Sequence, residues 1–259
     1  MQAGEEYDEA MVLALELLWG EGFLSPGGPA EIAEILKGSS IAGKSVLDIG
    51  CGIGGIDLLL ATKYDAAKVI GIDVEAPNID LATRRAAQKG LAGHVSYRLV
   101  EPGPLPFADA SLDVVFSKDA MIHIADKEAL FRDVYRVLKP GGAFLASDWL
   151  RGDDKPASAE MQRYVGLEGL SFAMASPKRY EVAMQAAGFV DIEIRDRNGW
   201  YLTTARHELA QIEGPLKQRL MELVGTSESE RQTKVWRAMI VVLESGELRP
   251  THLKAKRPL

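Results

Sequence analysis

Lys44-Ser45-Val46-Leu47-Asp48-Ile49-Gly50-Cys51-Gly52-Ile53-Gly54-Gly55 passes from an apolar run straight into a glycine-rich turn. This order predicts a buried strand over 44–49, a tight turn, and a helix over 54–63. Glycines suit a turn whose backbone must come close to a ligand, where a Cβ would intrude. The helix then points its N-terminus into a crevice at the carboxyl edge of a sheet. Asp73, closing a second strand over 68–73, is placed to accept hydrogen bonds from two ribose hydroxyls. Gly50, Gly52 and Gly55 also satisfy GxGxxG with an acid about 20 residues further on, so a dinucleotide site stays open at this point. Cys51 reads as a small residue tolerated in the turn rather than a nucleophile.

Outward from this turn, the chain alternates short β-branched runs with helical patterns, which implies βαβ units and a largely parallel sheet. Strands are expected at 95–100, 112–117 and 143–149, with helices at 76–89 and 127–138. The second of these helices is ended by Lys139-Pro140-Gly141-Gly142. Before the turn, residues 5–19 and 29–37 read as helices separated by Gly20-Glu21-Gly22 and Ser25-Pro26-Gly27-Gly28. After residue 150, helices are expected at 158–173, 177–187, 205–223 and 228–244, and strands at 190–195 and 249–256. The expected organisation is one α/β domain over 1–259, with a helical cap at 1–40, a core at 41–150 and helices with the last strands at 151–259.

The 259 residues are 47% hydrophobic and 26% charged, ordinary globular values, with a net charge of −7. That acidity argues against a phosphodiester partner, and no nucleic acid is expected. A single cysteine excludes an intramolecular disulfide framework and a cysteine-rich zinc site, and no metal is expected. The opening Met1-Gln2-Ala3-Gly4-Glu5-Glu6 has no apolar signal-like run, and no stretch approaches the roughly 18 apolar residues of a membrane span. A cytoplasmic protein, monomeric or homodimeric, without a membrane partner is the expectation.

Leu99-Val100-Glu101 closes the third strand with an acid suited to an adenine's exocyclic amine, and 138–142 turns into the fifth strand. Together with Asp48–Gly55 and Asp73, these resemble motifs I, post-I, II and III of class I S-adenosylmethionine-dependent methyltransferases, over residues 44–149. The resemblance implies a Rossmann-like, mostly parallel seven-stranded sheet with S-adenosylmethionine as cofactor and S-adenosylhomocysteine as product. It assigns cofactor contacts to Asp48, Gly50, Gly52, Asp73 with Val74, and Glu101 with Pro102. Asp48 as a cap of the turn, and Glu101 as a solvated acid, stay open beside those roles.

Tyr7 to Gly28 and Ser117-Lys118-Asp119-Ala120-Met121-Ile122-His123 carry a closer resemblance, to the phosphoethanolamine N-methyltransferases and the wider sarcosine/dimethylglycine group. It implies a catalytic dyad of Tyr7 and His123 over the acceptor nitrogen. Ser25 and Lys118 fall on the cofactor side and Asp119 at the substrate's amine. The chemistry fits these types. Methyl transfer needs alignment of a lone pair with the methyl carbon, and an ammonium must first lose a proton, which a neutral imidazole or an adjacent water can take.

The resemblance breaks where that family binds phosphate. Trp149 stands for a Tyr, Glu168 for an Arg, Leu170 for a Tyr and Met239 for a Lys, while Tyr164 is kept. Phosphate recognition needs clustered donors, and a carboxylate repels it. N-methylation of a small amine other than phosphoethanolamine is therefore the expectation, with Asp119, Trp149, Tyr164 and Glu168 facing the acceptor. An O-methyltransferase using the same His123, or a binding protein without turnover, are the alternatives. Lys118-Asp119-Ala120-Met121 replaces the Asp/Asn-Pro-Pro-Tyr element of N6-methylating enzymes, and the place of Cys51 excludes a cysteine-nucleophile C5 enzyme.

Overall fold

The computed structural model describes residues 9–259, so Tyr7 lies outside the described residues. Helices α1 (Glu9–Trp19) and α2 (Gly28–Leu36) precede strand β1 (Ser45–Ile49). Then come α3 (Gly55–Lys63), β2 (Lys68–Asp73), α4 (Ala76–Gln88), β3 (Val95–Leu99) and β4 (Leu112–Lys118). A 3₁₀ turn (Met121–His123) leads to α5 (Lys127–Val137) and β5 (Leu138–Arg151). The chain ends with α6 (Ala159–Glu168), α7 (Pro177–Ala187), β6 (Val190–Asp196), α8 (Asn198–Glu213), α9 (Lys217–Glu244) and β7 (Leu248–Lys256).

The strands make one seven-stranded sheet in the order β3-β2-β1-β4-β5-β7-β6. β7 runs antiparallel to β5 and β6, and the other pairs are parallel. Central strands covered on both faces by helices need apolar residues at every position, which is why Val46 and Leu47, or Val115 and Phe116, are adjacent yet fully buried. Leu47 and Val115 join Phe131 and Phe144 in the core on one face, while Val46 and Phe116 join Ile35 and Leu60 on the other. A third cluster, including Ala14, Tyr164, Tyr201 and Trp236, binds α1, α6, α8 and α9 together. The strand order reverses between β1 and β4, and this switch point opens the crevice at their carboxyl ends. Among the described residues no helix is long and apolar enough to cross a membrane.

Three expected boundaries move, each for a local reason. The Lys139–Gly142 segment lies within β5 as a bulge, since Leu138 pairs with Leu112 and Ala143 next with Val114. Helix α6 stops at Gly169, left-handed at φ 74°, instead of running to 173. Residues beyond it cross over the 3₁₀ turn, where Ala173 N donates to Ile122 O at 2.7 Å. The late helices break at Gly214-Pro215, and Gly225 (φ 79°, ψ 163°) only kinks α9.

Candidate active site

The glycine turn is shaped by contacts that no side chain would permit. Gly50 has φ +76°, and a Cβ there would overlap that of Ala120, the residue after Asp119. A Cβ on Gly22 would stand 2.7 Å from Gly55 Cα, so the Gly20–Gly22 segment docks backbone against backbone on the start of α3. That docking carries the next residues, Leu24 and Ser25, to the crevice. Asp73 closes the turn from the other side: its oxygens accept from Gly52 N at 2.8 Å and Glu75 N at 2.9 Å. The Val74 amide and the Asn78 side chain also hydrogen-bond this carboxyl. Burial raises the Asp73 pKa despite these amides. Val74, Glu101 and Pro102 lie exposed beside the ends of β2 and β3.

Asp48 is placed differently from the other acids. Its carboxyl is sealed at the end of β1, 1% exposed, against the equally buried Asp57 of α3. Burial drives both pKa values upward; the Asp48 charge adds to this at Asp57 and the Asp73 charge at Asp48, while a hydrogen bond between the two carboxyls opposes the rise at Asp48. Asp57 carried no signal in the sequence, because a single helix acid is indistinguishable from a surface one.

On the other side of the crevice the end of β4 gathers three of the expected residues, Ser25, Lys118 and Asp119, into one chain. Lys118 Nζ, with its side chain 1% exposed, donates to Ser25 Oγ at 2.7 Å and to Asp119 Oδ2 at 2.6 Å. Asp119 Oδ1 accepts from Ser147 Oγ at 2.9 Å. Asp119 sits at φ 59°, a left-handed conformation in which its carboxyl keeps both partners. The 3₁₀ turn then presents His123, whose Nδ1 lies 3.0 Å from Ser171 O. A carbonyl oxygen only accepts, so Nδ1 carries the proton and the neutral ring leaves Nε2 as an acceptor.

That turn is clamped from below by groups the sequence reading did not single out. Asp148 accepts from Ile122 N at 3.0 Å and from the Tyr180 hydroxyl, and Lys127 Nζ donates to Met121 O at 2.6 Å. Burial pushes Asp148 up to about 7 and Lys127 down to about 8, against their mutual attraction.

Ser25, Asp119, His123, Trp149, Tyr164 and Glu168 line one cavity of about 160 Å³. Leu170 and Met239 line it too, so the positions at which the sequence departs from phosphate binding share one wall. The Trp149 ring meets Tyr201 edge-on at 4.7 Å. Glu168 hydrogen-bonds Tyr164, and burial raises its pKa against that bond and the nearby Arg231. Trp19, Tyr201 and Trp236 also line it, and no sequence pattern marked them as site residues because helical aromatics are most often plain core.

A family described as "Methyltransferase domain" matches residues 41–187, more than half of the chain. The chain belongs to this methyltransferase family. Among curated relatives, phosphoethanolamine N-methyltransferase 1 of Arabidopsis thaliana is 35% identical over 209 residues, covering 80% of this chain and 41% of that protein. An O-methyltransferase of Penicillium expansum is 28% identical over 206 residues, covering 74% of each. Among solved structures, phosphoethanolamine N-methyltransferase 2 of Haemonchus contortus, in complex with phosphomonomethylethanolamine and S-adenosylhomocysteine, superimposes with a TM-score of 0.89. It is 26% identical, and the match covers 98% of this methyltransferase and 59% of that chain. The methyltransferase thus spans roughly half the length of the phosphoethanolamine relatives that it matches. The seven-stranded sheet and its crevice are those expected of the class I fold.

Proposed function

We propose that this methyltransferase transfers a methyl group from S-adenosylmethionine to the nitrogen of a small amine other than phosphoethanolamine. S-adenosylmethionine, when bound, supplies a sulfonium methyl that is displaced in line and leaves its electron pair on sulfur. The residues present fit that cofactor. Gly50 and Gly52 keep the turn open to a close ligand, Asp73 at the end of β2 is placed to meet the ribose hydroxyls, and Val74, Glu101 and Pro102 flank the adenine side. Ser25 and Lys118 offer donors to a carboxylate, and Asp48 supports the turn from behind.

The observation that carries the reading is His123, with Nδ1 tied to Ser171 O and Nε2 left to act in a cavity that it shares with Asp119. Asp119 holds the amine, and Nε2 takes its proton directly or through a water, giving a neutral nitrogen with a lone pair to align. Tyr7 as the second member of a dyad lies outside the described residues, and its role is part of the proposal.

The amine in question carries no phosphate because Glu168, Leu170, Met239 and Trp149 line the wall where a dianion would need clustered donors. The test is transfer of labelled methyl to a panel of amines. His123→Ala is expected to lose about 10²–10⁴ in kcat while S-adenosylhomocysteine affinity holds, and an unchanged rate overturns the assignment. Efficient turnover of phosphoethanolamine overturns the substrate part. The Penicillium relative keeps O-methylation as the second reading, with the same Nε2 deprotonating a hydroxyl. A hydroxyl-bearing product in the same assay would select it.

A further inference from the structure

Six aromatic side chains from separate stretches of chain converge on the cavity: Trp19 of α1, Trp149 of β5, Tyr164 of α6, Phe172 of the crossing segment, Tyr201 of α8 and Trp236 of α9. Their rings touch in pairs, Trp19 with Trp236 at 6.1 Å and Tyr164 with Phe172 at 6.4 Å, and Phe172 lies 5.6 Å from the His123 ring. The buried carboxyl of Glu208 fixes three of them. It accepts from Trp19 Nε1 at 2.7 Å, Trp236 Nε1 at 3.1 Å and the Tyr201 hydroxyl at 3.3 Å. Donation to a carboxylate polarises a ring toward higher electron density on its face, and such faces attract ammonium groups.

The charged groups at the cavity point the same way. Asp119, paired with Lys118, and Glu168 both line it. Arg231, also in the lining, is paired with Glu228 through Nε and Nη2 at 2.7 and 2.6 Å, and its Nη1 donates to the carbonyls of Leu167 and Glu168. Its charge is thereby largely engaged within the protein. The wall beyond is apolar, with Leu170, Val235 and Met239. The volume of about 160 Å³ resembles the roughly 150 Å³ of an engineered apolar cavity that accepts benzene.

Building on the amine N-methyltransferase reading, we propose that the acceptor is an alkyl- or arylamine cation with an uncharged hydrophobic group of about benzene size, enclosed by this aromatic box, and that Glu168 is the specificity-determining residue that turns anionic acceptors away. The ammonium lies between Asp119 and the ring faces, and the hydrophobic group packs on Phe172, Leu170 and Met239. Burial holds Glu168 back from ionisation despite its hydrogen bond to Tyr164, and an arriving cation favours its ionised form.

The test uses the purified chain saturated with S-adenosylhomocysteine, and follows tryptophan fluorescence and calorimetry with N-methylphenethylamine, ethanolamine and phosphoethanolamine. N-methylphenethylamine is expected to change the fluorescence and to bind at least about tenfold tighter than either of the others. Glu168→Gln is expected to weaken it several-fold without altering S-adenosylhomocysteine affinity, and Glu168→Arg to shift the preference toward phosphoethanolamine. Phosphoethanolamine binding as tightly as the arylamine, no arylamine binding, or arylamine binding indifferent to both Glu168 variants overturns the proposal. Failure of the broader reading looks different: S-adenosylhomocysteine itself does not bind, or the arylamine binds and no amine in the panel is methylated.

Discussion

Asp148 shows how one residue beneath the site can couple it to pH. Fully buried, it accepts from Ile122 N and the Tyr180 hydroxyl, and burial raises its pKa to about 7. In the unfolded chain the same carboxyl titrates near ~3.9. Between these values the folded state holds a proton that the unfolded state has released. The contribution is therefore fully present below about pH 4, declines as pH rises, and is gone above about pH 7. Urea unfolding across pH 4–8 is expected to show a decline of the order of a few kcal/mol, which Asp148→Asn flattens because an amide oxygen still accepts from Ile122 N without titrating. An identical slope in the variant would refute the assignment. At this scale the sequence singled out candidates where a motif or the resemblance marked them, as for Asp73 and His123. Asp57, Lys127 and Glu208 were not legible, because their meaning comes from burial and from partners 6 to 189 positions away.

At the scale of elements, a backbone contact holds the loop between α1 and α2 to the core, beside the side-chain packing of α2 through residues such as Ile35. Gly22, at φ +87°, packs on Gly55, and the segment it starts delivers Ser25 to Lys118. Gly22→Ala is expected to cost more than about 1 kcal/mol from the strained φ alone. It is also expected to weaken S-adenosylhomocysteine binding, since the shifted segment carries Ser25 away from Lys118. Calorimetry with unchanged affinity and an unchanged Tm would contradict this account. The existence and order of the elements followed from periodicity, because β-branched runs and amphipathic helices repeat at fixed intervals. The end of α6 did not follow so readily: Gly169 stops it there, and the released segment is free to cross the 3₁₀ turn and offer Ser171 O to His123.

For the whole molecule, a buried ionic cluster joins the front of the chain to its last strand. Glu31 of α2 accepts from Arg197 at 2.9 and 2.6 Å and from His252 Nε2 at 2.6 Å. Burial opposes ionisation of Glu31, but these hydrogen bonds win and its pKa falls. Glu31→Ala would strand Arg197 and His252 without their carboxylate, and is expected to cost about 3–5 kcal/mol in equilibrium unfolding. A loss under 1 kcal/mol would show the cluster to be solvated. Ligand linkage gives a complementary check: S-adenosylhomocysteine at 100 times its Kd is expected to add about 2.7 kcal/mol to stability, seen as a concentration-dependent Tm.

From sequence alone came the sheet, the glycine turn and its strand-end acids, because strand period, glycine turns and strand-end acids are local patterns that a short window contains. Only the folded chain decided which helical aromatics surround the cavity. Trp19, Tyr201 and Trp236 lie on helices far apart in sequence, and each alone looks like ordinary core. Their convergence around Glu208, with Arg231 tied up on Glu228, is a property of helix packing, and packing between distant segments leaves no periodic trace in the order of residues.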